Sequence, residues 1–259
     1  MSTQPPADQV QPLGAEEVFH FDCGPELSCF TDCCRSLDLA LTPYDALRLR
    51  HRLQLDGATF LERYAVYAED QDEVFPMVYL AMADDERASC PFVTAAGCSV
   101  YEDRPAACRA YPMGRGLRLT ARGCQGRQPQ ELFVLVKEPH CRGFEVAQSR
   151  DAGEWMQDQG LEPHNRASDV LLPLLRHPRI LQGWRPTDEQ RRLYLQTLYQ
   201  LDDFRQRLVG DEIDTAGLLA ATGWPPEHDP ATMTDEELLP VAVYWLKQVF
   251  KFTDVDQGN

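Results

Sequence analysis

Two hydrophobic patterns divide this chain. Beyond residue 150, apolar residues recur at helical spacing in Ala152–Gln159, Asn165–Arg176, Asp188–Leu208 and Asp235–Phe252, with Asp or Glu near the starts. In the third of these, Leu193, Leu195, Leu198, Leu201, Phe204 and Leu208 give one broadly apolar face. Before residue 150 the apolar runs are short. Val18–Phe21, Leu37–Leu41, Val74–Met82, Arg115–Thr120 and Glu131–Val136 read as strands, separated by Gly, Pro and polar clusters. One helix start is written out as Thr42-Pro43-Tyr44-Asp45: a cap, a proline at the first helical position, and an acid at the positive end of the dipole. That helix should run to about Leu55 and end at Gly57, with a second over Ala58–Ala68. Cys90–Tyr101 predicts a hairpin-like turn, and a short helix should lead from about Asp103 into Cys108. Residues 1–17 carry neither pattern and are expected to be a disordered lead-in. The fold class expected is α+β: a small irregular cysteine-rich core over 18–150, then a mostly α-helical part over 151–259 packing on it.

Charge and hydropathy narrow the setting. No run approaches the ~18 apolar residues of a membrane helix, and Leu238–Phe252 is broken by Lys247, Gln248 and Lys251. The N-terminus has no basic segment followed by an apolar one, so a secretory signal is not expected and a cytoplasmic location is. A formal charge of −16 argues against nucleic acid, because phosphate binding draws on a basic surface. Arginine does concentrate locally at Arg104, Arg109, Arg115, Arg118, Arg122 and Arg127. The four tryptophans, Trp155, Trp184, Trp224 and Trp245, read as core anchors.

The cysteines change the picture most. All nine precede residue 142: Cys23, Cys29, Cys33, Cys34, Cys90, Cys98, Cys108, Cys124 and Cys141. Scattered core thiols would not segregate in this way. In a reducing compartment clustered thiols bind metal or do redox chemistry rather than pair as disulfides. Thiolates are soft anionic donors suited to zinc or to the irons of a cluster. Cys29 and Cys33 can turn their sulfurs toward one point, and Cys23 lies within reach through a Gly-Pro turn. Adjacent Cys33 and Cys34 diverge in most backbone conformations, so they either serve two metals or need a local twist to serve one.

The pattern Cys23…Cys29…Cys33-Cys34, then Cys90-Pro91-Phe92, Gly97-Cys98-Ser99-Val100-Tyr101, Arg104-Pro105, Cys108-Arg109-Ala110-Tyr111-Pro112 and Cys141-Arg142-Gly143, resembles the YkgJ-type CxxCxxCC cysteine-cluster family of zinc- or iron-chelating domains. The resemblance covers about residues 18–145 and implies eight metal ligands: Cys23, Cys29, Cys33, Cys34, Cys90, Cys98, Cys108 and Cys141. Cys124 falls outside it. The first cluster departs from the family's C-x2-C-x2-C-C, being C-x5-C-x3-C-C here, which leaves Cys23 the weakest match. An iron–sulfur cluster (or iron) is the cofactor favoured, with Zn2+ as the alternative.

Other residues of the block have two readings each. Arg104 and Arg109 either donate hydrogen bonds to sulfurs or pair with Glu102 and Asp103. Tyr101, Tyr111 and Pro112 are expected to shield the site, and His140 is a further candidate ligand. His20, His51, His164, His177 and His228 are isolated and carry no assignment. Three functions follow: a cysteine-ligated metal protein of unknown substrate; a protein-modifying enzyme, since flagellin lysine N-methylase is a relative of the family; or a zinc-stapled, non-catalytic domain whose acidic helical half is the surface for a protein partner. No G-x-G-x-x-G turn, C-x3-C-x2-C set (residue 36 is Ser36) or Ser–His–Asp arrangement supports a particular enzyme.

Overall fold

The computed structural model describes residues 6–68, 73–118, 130–210 and 213–252. In chain order the strands are β1 (Val10–Leu13), β2 (Phe19–His20), β3 (Ala65–Ala68), β4 (Met77–Leu80), β5 (Val93–Thr94), β6 (Gly97–Cys98), β7 (Met113–Arg118), β8 (Gln130–Val136) and β9 (Ser149–Arg150). The helices are α1 (Pro43–Leu53), α2 (Gly57–Tyr64), α3 (Ala106–Ala110), α4 (Ala152–Asp158), α5 (Glu162–Leu175), α6 (Pro178–Leu181), α7 (Asp188–Tyr199), α8 (Leu201–Val209), α9 (Thr215–Ala221) and α10 (Asp235–Val249). Helices mixed with small antiparallel sheets make the fold α+β.

The chain forms two units, and each draws on two stretches of sequence. The first comprises residues 1–39 and 82–163, the second 40–81 and 164–259. This is a different division from a sequential one at residue 150, because α1, α2, β3 and β4 belong with the late helices.

The first unit is built on a three-stranded sheet of order β1-β8-β7. Its core joins Leu13, Phe19, Phe21, Met113, Phe133, Leu135, Trp155 and Leu161. Part of the expected lead-in is therefore structured. Val10–Leu13 pairs antiparallel with Val136–Phe133, and Leu13 is buried. Pro12 is tolerated there because β1 is an edge strand. The β2–β9 pair and the β5–β6 hairpin complete the unit's strands.

The second unit is mostly helical. Thr42 caps α1 in a capping box with Asp45, as the sequence predicts. Other expectations fail. Gly57 does not end α1 but opens α2 behind the cap Asp56, and Ala65–Ala68 leaves the helix to pair with β4. Val66 and Tyr67 favour the extended form once Leu80 to Met77 offers a ladder. The single helix expected over 188–208 breaks at Gln200 into α7 and α8. A Cβ on Gly57 would stand 2.8 Å from both the Gln200 Cα and the Tyr199 carbonyl oxygen, so glycine there lets α2 approach the break. Leu37–Leu41 makes only an isolated bridge, Ala40 to Tyr79, rather than a strand. Phe75, Tyr194, Trp184, Phe250 and Phe252 form an aromatic cluster, with Phe75 stacked on Tyr194 at 4.5 Å. Trp155 and Trp245 are buried anchors of their respective units, while Trp184 and Trp224 are half-buried.

Candidate metal centre

The loop that carries the first four cysteines is coiled by successive turns. Leu27 N–H donates to Gly24, Phe30 to Leu27, Asp32 to Cys29 and Cys34 to Thr31, at 2.9–3.1 Å. The last turns tighten into a 3-10 helix over Asp32–Cys34, bracketed by the left-handed residues Thr31 (φ 68°) and Ser36 (φ 51°). This turn sets Cys33 and Cys34 side by side at the C-terminal end of the loop.

Two further segments dock on this loop. On one side, Asp22 N–H donates to the Gly143 carbonyl at 3.1 Å and Arg142 N–H donates to the Cys29 sulfur at 3.2 Å. Gly143 is required at this approach, since a Cβ would collide with the Phe21 ring and sit 2.7 Å from the Asp22 carbonyl oxygen. The turn Cys141 N–H to Glu138 carbonyl, 3.0 Å, sets the fifth thiol beside the loop. At the C-terminal end of the loop, Cys90 N–H donates to the Cys34 carbonyl at 2.8 Å and Ser36 N–H to Ala88 at 2.9 Å. The β5–β6 hairpin then returns Cys98 opposite Val93, whose own N–H donates to Cys90. Cys108 is exposed on α3. Cys124, with Arg122 and Arg127, lies outside the described residues.

Electrostatics tie the thiols together. Burial, then the neighbouring Cys33, Cys29 and Cys141, push the Cys23 thiol up to about 11. Cys33 is pushed up by its hydrogen bond with Cys34 and by burial, and Cys90 by burial, with Cys98 and Cys33 adding to it. Burial also raises Cys141, although Tyr111 pulls the other way. Ionising several of these thiols together is costly without a cation to offset them.

All eight described cysteines are thiols, half-buried or exposed. Among the described residues, no three His, Cys, Asp or Glu side chains converge tightly enough to hold an ion as they stand. Ligation therefore requires side-chain rotation within the loops. The surroundings nonetheless suit an anionic sulfur centre. Among the described residues the first unit has two buried polar atoms without a hydrogen-bond partner, Tyr111 Oη and Arg35 Nε, and both are donors. Arg35 follows the Cys33–Cys34 pair. Tyr111 Oη lies against the Cys141 sulfur and Glu138 without good hydrogen-bond geometry to either, and burial followed by Cys141 raises its phenol well above the ordinary value. Thiolates at this place would accept from such donors. By donor chemistry the residues fit a thiophilic metal.

The arginines of the block serve the backbone. Arg109 Nε donates to the Arg104 carbonyl at 3.0 Å, Nη1 to the Gln159 carbonyl at 2.9 Å and Nη2 to the Glu102 carbonyl. Arg104 donates to the Tyr101 carbonyl and the Gln159 side chain, and its guanidinium lies 3.8 Å from the Tyr101 ring centroid. These bonds fix α3 against the end of α4. Tyr101 is 54% exposed, whereas Pro112 is buried behind a cis peptide with half-buried Tyr111. His140 is exposed, 3.8 Å from Glu138. Sequence reasoning passed over Arg35 and the Arg142 N–H, whose positions depend on how distant segments dock. It also assigned nothing to His164, which is buried in the second unit with its Nδ1 3.0 Å from Asp45.

Residues 22–142 match the CxxCxxCC family, described as "Putative zinc- or iron-chelating domain". Searches of curated proteins and of solved structures give no match.

Proposed function

We propose that this chain, whose residues 22–142 carry a domain of the CxxCxxCC family, binds zinc or iron through the thiolates of its first unit, with Cys23, Cys29, Cys33, Cys34, Cys90, Cys98, Cys108 and Cys141 as the ligands. The observation that carries this reading is the docking of two further cysteine-bearing segments on the loop that holds Cys23, Cys29, Cys33 and Cys34. The finer form of the reading is iron–sulfur. Eight thiolates exceed the four that one tetrahedral ion takes, so the set suits a polynuclear centre or two sites.

The metal would supply positive charge to the thiolates, and the protein's part is to position them and to shield them with Tyr111. Anaerobic purification followed by metal and acid-labile sulfide analysis tests it. Iron with sulfide and a broad absorbance near ~400 nm is expected for a cluster. Colourless protein with stoichiometric zinc sinks the iron–sulfur form but keeps the metal reading. Protein with neither metal sinks both. Cys34→Ala should lose metal, and Cys124→Ala should not.

A further inference from the structure

Resting on that metal-binding reading, the geometry points to two adjacent sites rather than one, divided between Cys33 and Cys34: a first site of Cys23, Cys29, Cys33 and Cys141, and a second that keeps Cys34, Cys90 and Cys98. The division follows the docking of the segments. The segment bearing Cys141 is bonded to the N-terminal part of the loop, through Arg142 N–H to the Cys29 sulfur and Asp22 N–H to Gly143. The segment bearing Cys90 is bonded to its C-terminal end, at the Cys34 carbonyl and Ser36, and Cys98 belongs to the same hairpin.

The first group numbers four, which matches the tetrahedral preference of zinc and of cluster irons. It also has its own donors: the Arg142 N–H, already on sulfur, and the partnerless Tyr111 hydroxyl beside Cys141. Cys108 is the remaining family thiol, available as the fourth ligand of the second site. Each thiol that ligates releases its proton to solvent, so occupancy of the first site liberates those four protons.

Anaerobic titration of the metal-free full chain with Co2+ tests this. The thiolate-to-cobalt charge-transfer band reports bound thiolates, and equilibrium dialysis counts the ions. Two equivalents are expected for the unaltered chain. Cys141→Ser and Cys33→Ser should each lose one equivalent and leave the same residual spectrum. Cys98→Ser and Cys34→Ser should each lose the other. Tyr111→Phe removes only a hydroxyl, so it should keep both equivalents and shift the charge-transfer band of the first alone. Uptake of only one equivalent by the unaltered chain, lost in all four serine variants, overturns the division but leaves the metal-binding reading standing. So does loss of the same equivalent from Cys33→Ser and Cys34→Ser, or a Tyr111→Phe spectrum identical to the parent. No cobalt uptake by the unaltered chain overturns both.

Discussion

The two units are held by different means. In the second, helices open on reciprocal caps at Thr42, Thr187 and Thr234, and Phe60, Leu49, Leu198, Phe204, Leu219 and Leu238 are almost wholly removed from water. Asp235, at the start of α10, accepts from Arg50 and Arg205 and lies 2.9 Å from His51. In the first unit the sheet has a core, but no residue from 22 to 38 of the thiol-bearing loop is buried. Hydrophobic burial therefore sets the conformation of the second unit and leaves that loop to turns worth only about 1 kcal/mol each. The contrast makes the loop the part of the molecule for which a bound cation would matter most.

The largest effect should come from a chelator. A structural zinc in a small domain contributes on the order of 10–16 kcal/mol, so stripping the metal should remove amide protection from residues 22–38 and 138–145 entirely. Helices α7, α8 and α10 should keep theirs in the same hydrogen-exchange experiment, and equal loss in both regions would erase the contrast. Next, Phe204→Ala should cost about 3–5 kcal/mol in chemical denaturation, since the ring is 1% exposed, with metal content unchanged.

Asp235→Asn should cost about 3 kcal/mol by leaving Arg50 with a weakened partner in a buried setting. Burial alone would raise the Asp235 carboxyl, but Arg50, Arg205 and His51 outweigh it and hold the group below the usual carboxylate range. Its contribution is thus full above the unfolded value of about 3.9 and is lost as pH falls through the folded one. Acid titration of stability should show this step in the parent chain and a smaller one in Asp235→Asn. The smallest effect is Thr42→Ala, about 1 kcal/mol from the lost cap, read as a shift in the denaturation midpoint.

Local chemistry made some of this legible in the sequence. Thr42-Pro43-Tyr44-Asp45 announces its helix because cap, proline and acid act within one turn. The cysteine segregation and the Gly97–Pro112 block, read from residue types and spacing, pointed to the family that residues 22–142 match. What escaped depends on partners far along the chain. Val10–Leu13 is a strand only because β8 offers a ladder more than a hundred residues later, and the break at Gln200 answers to Gly57. Arg104 and Arg109 have charged neighbours in sequence, yet they reach the carbonyls of Tyr101 and Glu102 and, at the far end of α4, Gln159, which only packing supplies. Which segments meet the Cys33–Cys34 turn is set by such docking, which spacing alone does not show.

The interleaving of the units has a consequence for synthesis on the ribosome. Residues 40–81 emerge early, but the unit that shelters them includes 164–259. At about 5–20 residues per second, Phe60 leaves the tunnel on the order of ten seconds before Phe204. The first unit can close once residue 163 is out, yet its own chain is interrupted by that waiting segment. A nascent chain of this protein thus carries an unsheltered apolar stretch until the residues from 164 onward follow it. Holding chaperones should engage it between residues 40 and 81 and release it only when α10 has been made.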